Sequence, residues 1–232
     1  IDFSIQSIEE PIRVYTTRPD TLFGVTFMVL APEHPLIEKL IAYPPVDCDG
    51  ESIAAYVEEA KSRSDVDRMA DSKEKTGVNS GLIAINPATG KEIPVWIADY
   101  VLMGYGHGAI MAVPGHDQRD YGFANAHDIP IVEVVKPSDQ KDFTDCFAGK
   151  GVAINSSSDA CSIDGLQTDD AIAAVIAWLE DSGVGQPKVN YKLRDWLFSR
   201  QRYWGEPFPI VFDENGQHFP VSEDALPVTL PD

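Results

Sequence analysis

Gly104-Tyr105-Gly106-His107-Gly108-Ala109-Ile110-Met111-Ala112-Val113-Pro114-Gly115-His116-Asp117-Gln118-Arg119-Asp120-Tyr121 carries three local signals in one run. Three glycines within five positions permit sharp turns and close backbone approach. The apolar residues 109–113 behind them read as a short buried strand closed by Pro114 and Gly115. Asp117 and Asp120 suit a helix N-terminus, ahead of Tyr121, Phe123 and Ala124 as an apolar face. A strand, a turn and a helix result, with carboxylates gathered at the junction. A dinucleotide loop leads its glycines into a helix, whereas these lead into a strand, so close packing is their plainer reading.

On the N-terminal side, residues 82–85 and 93–97 flank Asn86-Pro87-Ala88-Thr89-Gly90-Lys91, whose Pro and Gly predict a β-hairpin. Residues 52–63 repeat at helical spacing through Ile53, Tyr56, Val57 and Ala60, and the charged run through Lys75 extends the expected helical arm. Pro35 opens another helix that ends at Pro44-Pro45. Ile12, Val14 and Thr16 alternate with Arg13, Tyr15 and Thr17, which predicts a strand ending in the turn Arg18-Pro19-Asp20, with a second strand over 25–30. On the C-terminal side the expectations are a strand over 129–135 and a polar excursion over 137–151. Thr168 is expected to cap a helix running to about Asp181 and stopped by Gly183, and a hairpin follows at 210–220. Short strands broken by helices, without a β-α-β rhythm, favour an α+β fold with a curved or barrel-like sheet.

The 232 residues are 24% charged and 44% hydrophobic, as expected of a globular chain with one large domain. With 37 acidic against 18 basic residues the net charge is −19, which opposes generic attraction to a nucleic-acid backbone. Five of the basic residues, Lys188, Lys192, Arg194, Arg200 and Arg202, stand together with Asp195 as the single acid among them, so phosphate contact is expected there. Cys48, Cys146 and Cys161 form no C-x-x-C pair, which suggests a reducing compartment and neither a disulfide framework nor a zinc ribbon. No apolar run reaches the length of a membrane span, and both ends read as cuts within a longer polypeptide.

Two segments carry chemistry. Thr16-Thr17-Arg18-Pro19-Asp20-Thr21 sets three hydroxyls, a cation and a carboxylate at a strand end, where a rigid scaffold can aim them; a polar turn is the plainer alternative. Asp117 and Asp120 stand one helical turn apart beside Arg119, with simple capping as their alternative. A metal site built on His116, Asp117, Asp120 and His107 is a third reading, although no zinc signature is present. No G-x-S-x-G elbow or P-loop occurs.

These segments, with Ile93-Pro94-Val95-Trp96 between them and Asp195-Trp196-Leu197-Phe198-Ser199-Arg200-Gln201-Arg202-Tyr203-Trp204-Gly205 after them, closely resemble bacterial-type leucyl-tRNA synthetase and its editing insertion. The resemblance implies a β-barrel-like editing core with peripheral helices, inserted in a class I aminoacyl-tRNA synthetase. It assigns 1–190 to the editing domain and 191–232 to the return toward the synthetic domain. The implied activity is hydrolysis of the ester of tRNA(Leu) mischarged with norvaline-like or isoleucine-like amino acids. A hydrophobic pocket separates one methylene by only about 1–3 kcal/mol, so a second sieve is needed; synthetase editing is the established illustration.

By the same resemblance, Asp120 holds the α-ammonium of the misattached amino acid, and Thr16 and Thr17 bind the terminal adenosine and support the oxyanion or the attacking water. Thr21 blocks the leucine γ-branch, Met111 and Val113 line the side-chain pocket, and Arg18, Asp117 and Arg119 contact substrate. No threonine has a base beside it, so attack by an oriented water is the expected chemistry. His107 departs from the family, which often has a small hydroxyl residue there, and its role stays open. No metal or cofactor is implied for editing. ATP and Mg belong to the parent's synthetic site, whose H-x-G-H and K-M-S-K-S signatures are absent here. The implied partners are the tRNA(Leu) 3′ end and the remainder of the synthetase, in a monomeric cytoplasmic enzyme. A non-catalytic tRNA-positioning insertion is the alternative from another class; it does not require Thr16, Thr17, Thr21 and Asp120 together.

Overall fold

Alternation of period two places the central hairpin. In Gly77–Ile85, Ser80, Leu82 and Ala84 are buried between less buried neighbours, and in Glu92–Ala98 the buried Ile93, Val95 and Ile97 alternate with half-buried Pro94 and Trp96. The computed structural model describes residues 1–6, 8–44, 48–68, 76–104, 106–138, 145–189 and 209–228. In chain order the elements are β1 (Asp2–Ile5), β2 (Ile8–Arg13), β3 (Phe27–Leu30), α1 (Pro35–Ala42), α2 (Gly50–Lys61) and α3 (Asp65–Arg68). They continue with β4 (Gly77–Ile85), β5 (Glu92–Ala98), β6 (Ala109–Ala112), α4 (Gln118–Ala126), β7 (Val135–Pro137), β8 (Gly151–Ala153), α5 (Thr168–Asp181), β9 (Ile210–Phe212) and β10 (His218–Pro220). The chain divides into two compact units, Ile1–Pro187 and Lys188–Asp232.

The first unit is α+β. Its main sheet has six strands in the order β2-β1-β4-β5-β3-β6 and curls into a half-barrel. Only β3 and β5 pair in parallel; the other ladders are antiparallel. β3 is buried at all four positions because both faces of the sheet are covered there. Met28 and Leu30 join the large core with Val95, Ile97, α1, α2 and α5, while Phe27 and Val29 join a smaller one with Ala112, Phe123 and Ala124. Phe123 of α4 stacks on Phe27 at 5.3 Å between ring centres and meets the edge of Trp96 at 5.4 Å, so α4 is seated over the sheet by aromatic contact.

Three expectations are corrected. The predicted strand over 129–135 is extended chain until Val135, and only Val135–Pro137 pairs, with β8. Its backbone is engaged by a side chain instead: the N–H groups of Val134 and Val135 both donate to His116 Nε2, at 2.9 and 3.1 Å. Thr168 is not the cap of α5. Gln167 holds that position without a side-chain bond, and the Thr168 hydroxyl both accepts from Gly151 N–H at 2.9 Å and donates to Gly151 C=O at 3.1 Å, tying α5 to β8. A Cβ at Gly151 would lie 2.0 Å from the Lys136 carbonyl oxygen, so β7 and β8 approach at a distance only glycine permits. The helical arm breaks after Lys61, where the Ser62 hydroxyl turns back on the Glu59 carbonyl, and resumes for one turn in α3; 69–75 lie outside the described residues. The helix stop at Gly183 is as expected, with φ +71.

In the second unit β9 and β10 form the expected hairpin, closed by the Asp213 carboxylate accepting from Asn215 and Gln217 N–H and by Gly216 at φ +78. Of the basic cluster, Lys192, Arg194, Arg200 and Arg202 lie outside the described residues, as does the whole 195–205 motif. No helix among the described residues is long and apolar enough to cross a membrane.

Candidate functional site

Proline at position 19 and the threonines around it give a compact arch. Thr16 Oγ1 accepts the Arg18 N–H at 2.9 Å, a local turn bond, and Pro19–Gly24 follows as a buried 3-10 segment. Thr21 is 2% exposed, and its hydroxyl donates to the Arg18 carbonyl at 2.9 Å, which fixes the direction of its methyl group. Thr17 is the most exposed side chain of the six. The Arg18 guanidinium grips buried Asp20 from Nε and Nη2 at 2.9 and 2.8 Å, and Nη1 reaches the carbonyls of Ala148 and Gly149 at 3.3 and 3.4 Å. The Arg18 guanidinium thus holds the arch together, and its side chain stays 27% exposed.

The second half is the strand-turn-helix junction read from the sequence. Asp117 caps α4, its carboxylate accepting from Arg119 and Asp120 N–H at 2.8 and 3.2 Å. The capping alternative therefore holds for Asp117, whose side chain and that of Arg119 are exposed. Asp120 is different. It is 4% exposed, and its carboxylate accepts from Val113 N–H at 2.8 Å and from the Tyr100 hydroxyl at 3.1 Å. Burial, then the neighbouring Asp117 charge, push its pKa up to about 7, against the hydrogen bonds from Val113 and Tyr100, which favour the ionised form. Asp120→Ala would orphan two buried donors as well as remove charge, so this residue carries structure as well as charge. Met111 and Val113 are both buried, at 7% and 5%, in the large core cluster.

His116 is a brace. Its Nδ1–H donates to the Phe147 carbonyl at 2.8 Å while Nε2 accepts the two N–H groups of Val134 and Val135, which selects one neutral tautomer. Burial lowers its pKa in keeping with that. Both ring nitrogens are thereby committed to the backbone rather than turned toward Asp117 and Asp120, and among the described residues no group of three or more metal-type side chains assembles. His107 is exposed between Gly106 and Gly108, both at positive φ, and the charges it influences are those of Asp2 and His34. His116→Ala is expected to cost about 2–4 kcal/mol by leaving two N–H groups and a carbonyl unpaired, read as a fall in the urea midpoint at unchanged slope.

What joins the halves is a strap at 145–149 that no pattern in the sequence marked. Phe147 N–H donates to Gly115 C=O at 2.9 Å, its carbonyl takes the His116 proton, and the next two carbonyls take Arg18. Gly24 closes the arch where a Cβ would stand 3.2 Å from Val113 Cγ1. Arch and junction are thus neighbours, with Asp120 fastened beneath Val113. The pKa of the Cys146 thiol on the strap is pushed up to about 11, by burial first and then by the charges of Asp117 and Asp120.

Residues 1–180 match the family described as leucyl-tRNA synthetase, editing domain. The chain belongs to that family. Leucine–tRNA ligases from Streptomyces avermitilis and Chloroherpeton thalassium are 52% and 53% identical across all of it, and it spans about a quarter of their length, 26% and 28%. A solved structure of LeuRS from Agrobacterium radiobacter K84, a ternary complex of agnB2 LeuRS with tRNA and LeuAMS, matches all of the chain and 25% of its own, with TM-score 0.63 and 32% identity. In an editing-domain family, the threonine arch and the buried aspartate are the features with chemistry to account for.

Proposed function

We propose that the chain is a post-transfer editing domain that hydrolyses the ester of tRNA(Leu) mischarged with norvaline-like or isoleucine-like amino acids, within a leucine–tRNA ligase that uses ATP elsewhere. The observation that carries this reading is the fastening of the Thr16–Thr21 arch to the Asp120 junction by the 145–149 strap, which sets hydroxyls and a buried carboxylate on one scaffold.

In this reading Asp120 binds the α-ammonium of the amino acid, and that positive charge draws the carboxylate into its ionised form. Thr16 and Thr17 present hydroxyls to the terminal adenosine and to the oxyanion or water. Thr16 keeps its own O–H proton to donate, since its turn bond uses it only as an acceptor. Water attacks directly; none of the threonine hydroxyls has a neighbouring free base to activate it as a nucleophile. Thr21 excludes the leucine branch, with Met111 and Val113 behind it. No metal or cofactor takes part in the editing step. The ligase is monomeric and cytoplasmic, and its partner is the tRNA(Leu) 3′ end.

The test is deacylation of norvalyl-tRNA(Leu) by the chain and by the ligase containing it, with and without a chelator. Hydrolysis that survives chelation is the expected result. Its absence from both proteins would leave a tRNA-positioning insertion, and loss on chelation would mean a metal-dependent hydrolase.

A further inference from the structure

Tyr100 has no part in the roles given above, yet it is 5% exposed, and its hydroxyl donates to Asp120 Oδ1 while its ring packs on Phe123, one turn of α4 further on, at 5.7 Å. The backbone that carries it is held on both sides. Arg68, 4% exposed, donates from Nε to the Asp99 carbonyl at 2.8 Å and from Nη2 to the Val101 carbonyl at 2.9 Å, while Nη1 meets Glu33 at 2.7 Å. Asp99 is secured further: its carboxylate accepts from Arg63 Nη1 at 2.7 Å and its N–H donates to the Tyr56 hydroxyl at 3.0 Å. The peripheral helices α2 and α3, which looked free of chemistry in the sequence, and the link between them thus supply three side chains, Tyr56, Arg68 and Arg63, that clamp the residues flanking one buried phenol.

We propose that Tyr100 is the positioning residue that aims the Asp120 carboxylate at the substrate ammonium and favours its ionised form, with Arg68 clamping the segment on which it stands. The inference rests on the editing reading of Asp120. A carboxylate between two fixed donors has one orientation available, and it leaves its remaining lone pairs to a third donor. Among the described residues the charged and titratable groups around Asp120 are Asp117 at the cap of α4, Arg119 on α4, Tyr100 after β5 and Cys146 on the strap. Asp117 opposes ionisation and Arg119 favours it; among the described residues the phenol is the side chain bonded directly to the carboxylate. A hydrogen bond to a charged group is a large enough effect to move a titration by about one to two pH units.

Tyr100→Phe keeps the ring on Phe123 and removes only the hydroxyl. The experiment follows the Asp120 carboxyl by carbon-13 NMR in the folded chain, its signal assigned by loss in Asp120→Asn. In parallel, kcat/KM is measured against pH for norvalyl-tRNA(Leu) and for the matching 2-hydroxy-acid ester, which has no ammonium. The expected result is an upward shift of the carboxyl midpoint by about one to two units, an acid limb that moves with it, and at least about fivefold slower amino-ester hydrolysis at pH 7 with the hydroxy ester unaffected. Arg68→Lys, which cannot bridge two carbonyls in the same fork, should shift the midpoint in the same direction by less. An unmoved carboxyl midpoint, or equal losses on both esters, would overturn the proposal. Should the unaltered chain and its ligase hydrolyse neither ester, the editing reading fails, whereas a midpoint that still moves in Tyr100→Phe keeps the phenol as the group that sets the carboxylate.

Discussion

Thr21→Ala is expected to raise hydrolysis of leucyl-tRNA relative to norvalyl-tRNA by about 10- to 200-fold, the discrimination available from one carbon in an apolar pocket. The side chain cannot yield to a branched substrate, because its hydroxyl is tied to the Arg18 carbonyl and only 2% of its surface is open. Alanine removes both the methyl and the hydroxyl and leaves room for the leucine γ-branch, while a linear chain gains nothing from that room. Thr21→Val separates bulk from hydrogen bonding. It keeps the volume and loses the bond to Arg18, so it should still refuse leucine, at some cost in stability. Deacylation of the two aminoacyl-tRNAs by each variant gives the answer as one ratio. A flat ratio in Thr21→Ala would leave Thr21 as a turn residue and pass the exclusion of leucine to Met111 or Val113.

Asp120→Asn is expected to move activity and stability in opposite directions. The amide can still accept from Val113 N–H and donate to the Tyr100 oxygen, so both bonds persist in altered form, but no negative charge meets the ammonium. Norvalyl-tRNA hydrolysis should fall by at least about 100-fold, as it does when a reacting group is no longer held in place. Stability follows from the carboxyl pKa, raised in the fold to about 7 from 3.8. A carboxyl that binds its proton more tightly when folded contributes stability in full below the unfolded value, and loses it progressively as pH rises toward 7. The wild-type chain carries an ionised, buried group above that pH, and asparagine mimics the protonated state throughout. The variant should therefore be more stable by up to about 4 kcal/mol at pH 8 and nearly equal at pH 4, as measured by urea unfolding at the two pH values. A variant less stable than wild type at pH 8 would mean that the carboxylate is well solvated in the fold.

The parts of this architecture that are local in sequence were legible there. The β4–β5 hairpin follows from alternation about a Pro-and-Gly turn, the start of α4 from the Asp117 cap, and the end of α5 from Gly183 in the left-handed region. Thr16 to Thr21 and Asp120 stood out by residue type. What escaped was everything set by a long-range bond. Residues 129–134 have strand composition, yet at the end of that stretch the imidazole of His116 takes the N–H of Val134, and the Ile129 N–H turns back to the Ala124 carbonyl. Thr168 has the chemistry of a cap, and the carbonyl and N–H of Gly151 claimed its hydroxyl first. Tyr100 and the 145–149 strap carry no periodicity or motif; they acquire meaning only when Asp120 and Arg18 are brought to them. Asp120 stood out as a carboxylate at a helix start, but its burial was not legible, because a helix N-terminus is ordinarily solvated and this one is roofed by Tyr100 and Val113.

The position of β3 in the sheet also governs when this domain can be completed during its own synthesis. Met28 pairs with Val95 on one side and with Met111 on the other, 67 and 83 positions later. At a ribosomal rate of roughly 5–20 residues per second, about 4 to 17 seconds pass between the appearance of β3 and that of its last partner. Until β5 emerges, about 3 to 13 seconds after β3 at that rate, four consecutive core residues, Phe27, Met28, Val29 and Leu30, have neither ladder partner in place, so β3 is a strand that needs chaperone cover on the nascent chain. Because the junction at Val113 follows β6 directly, the arch and the junction come together only after β3 has been sealed from both sides.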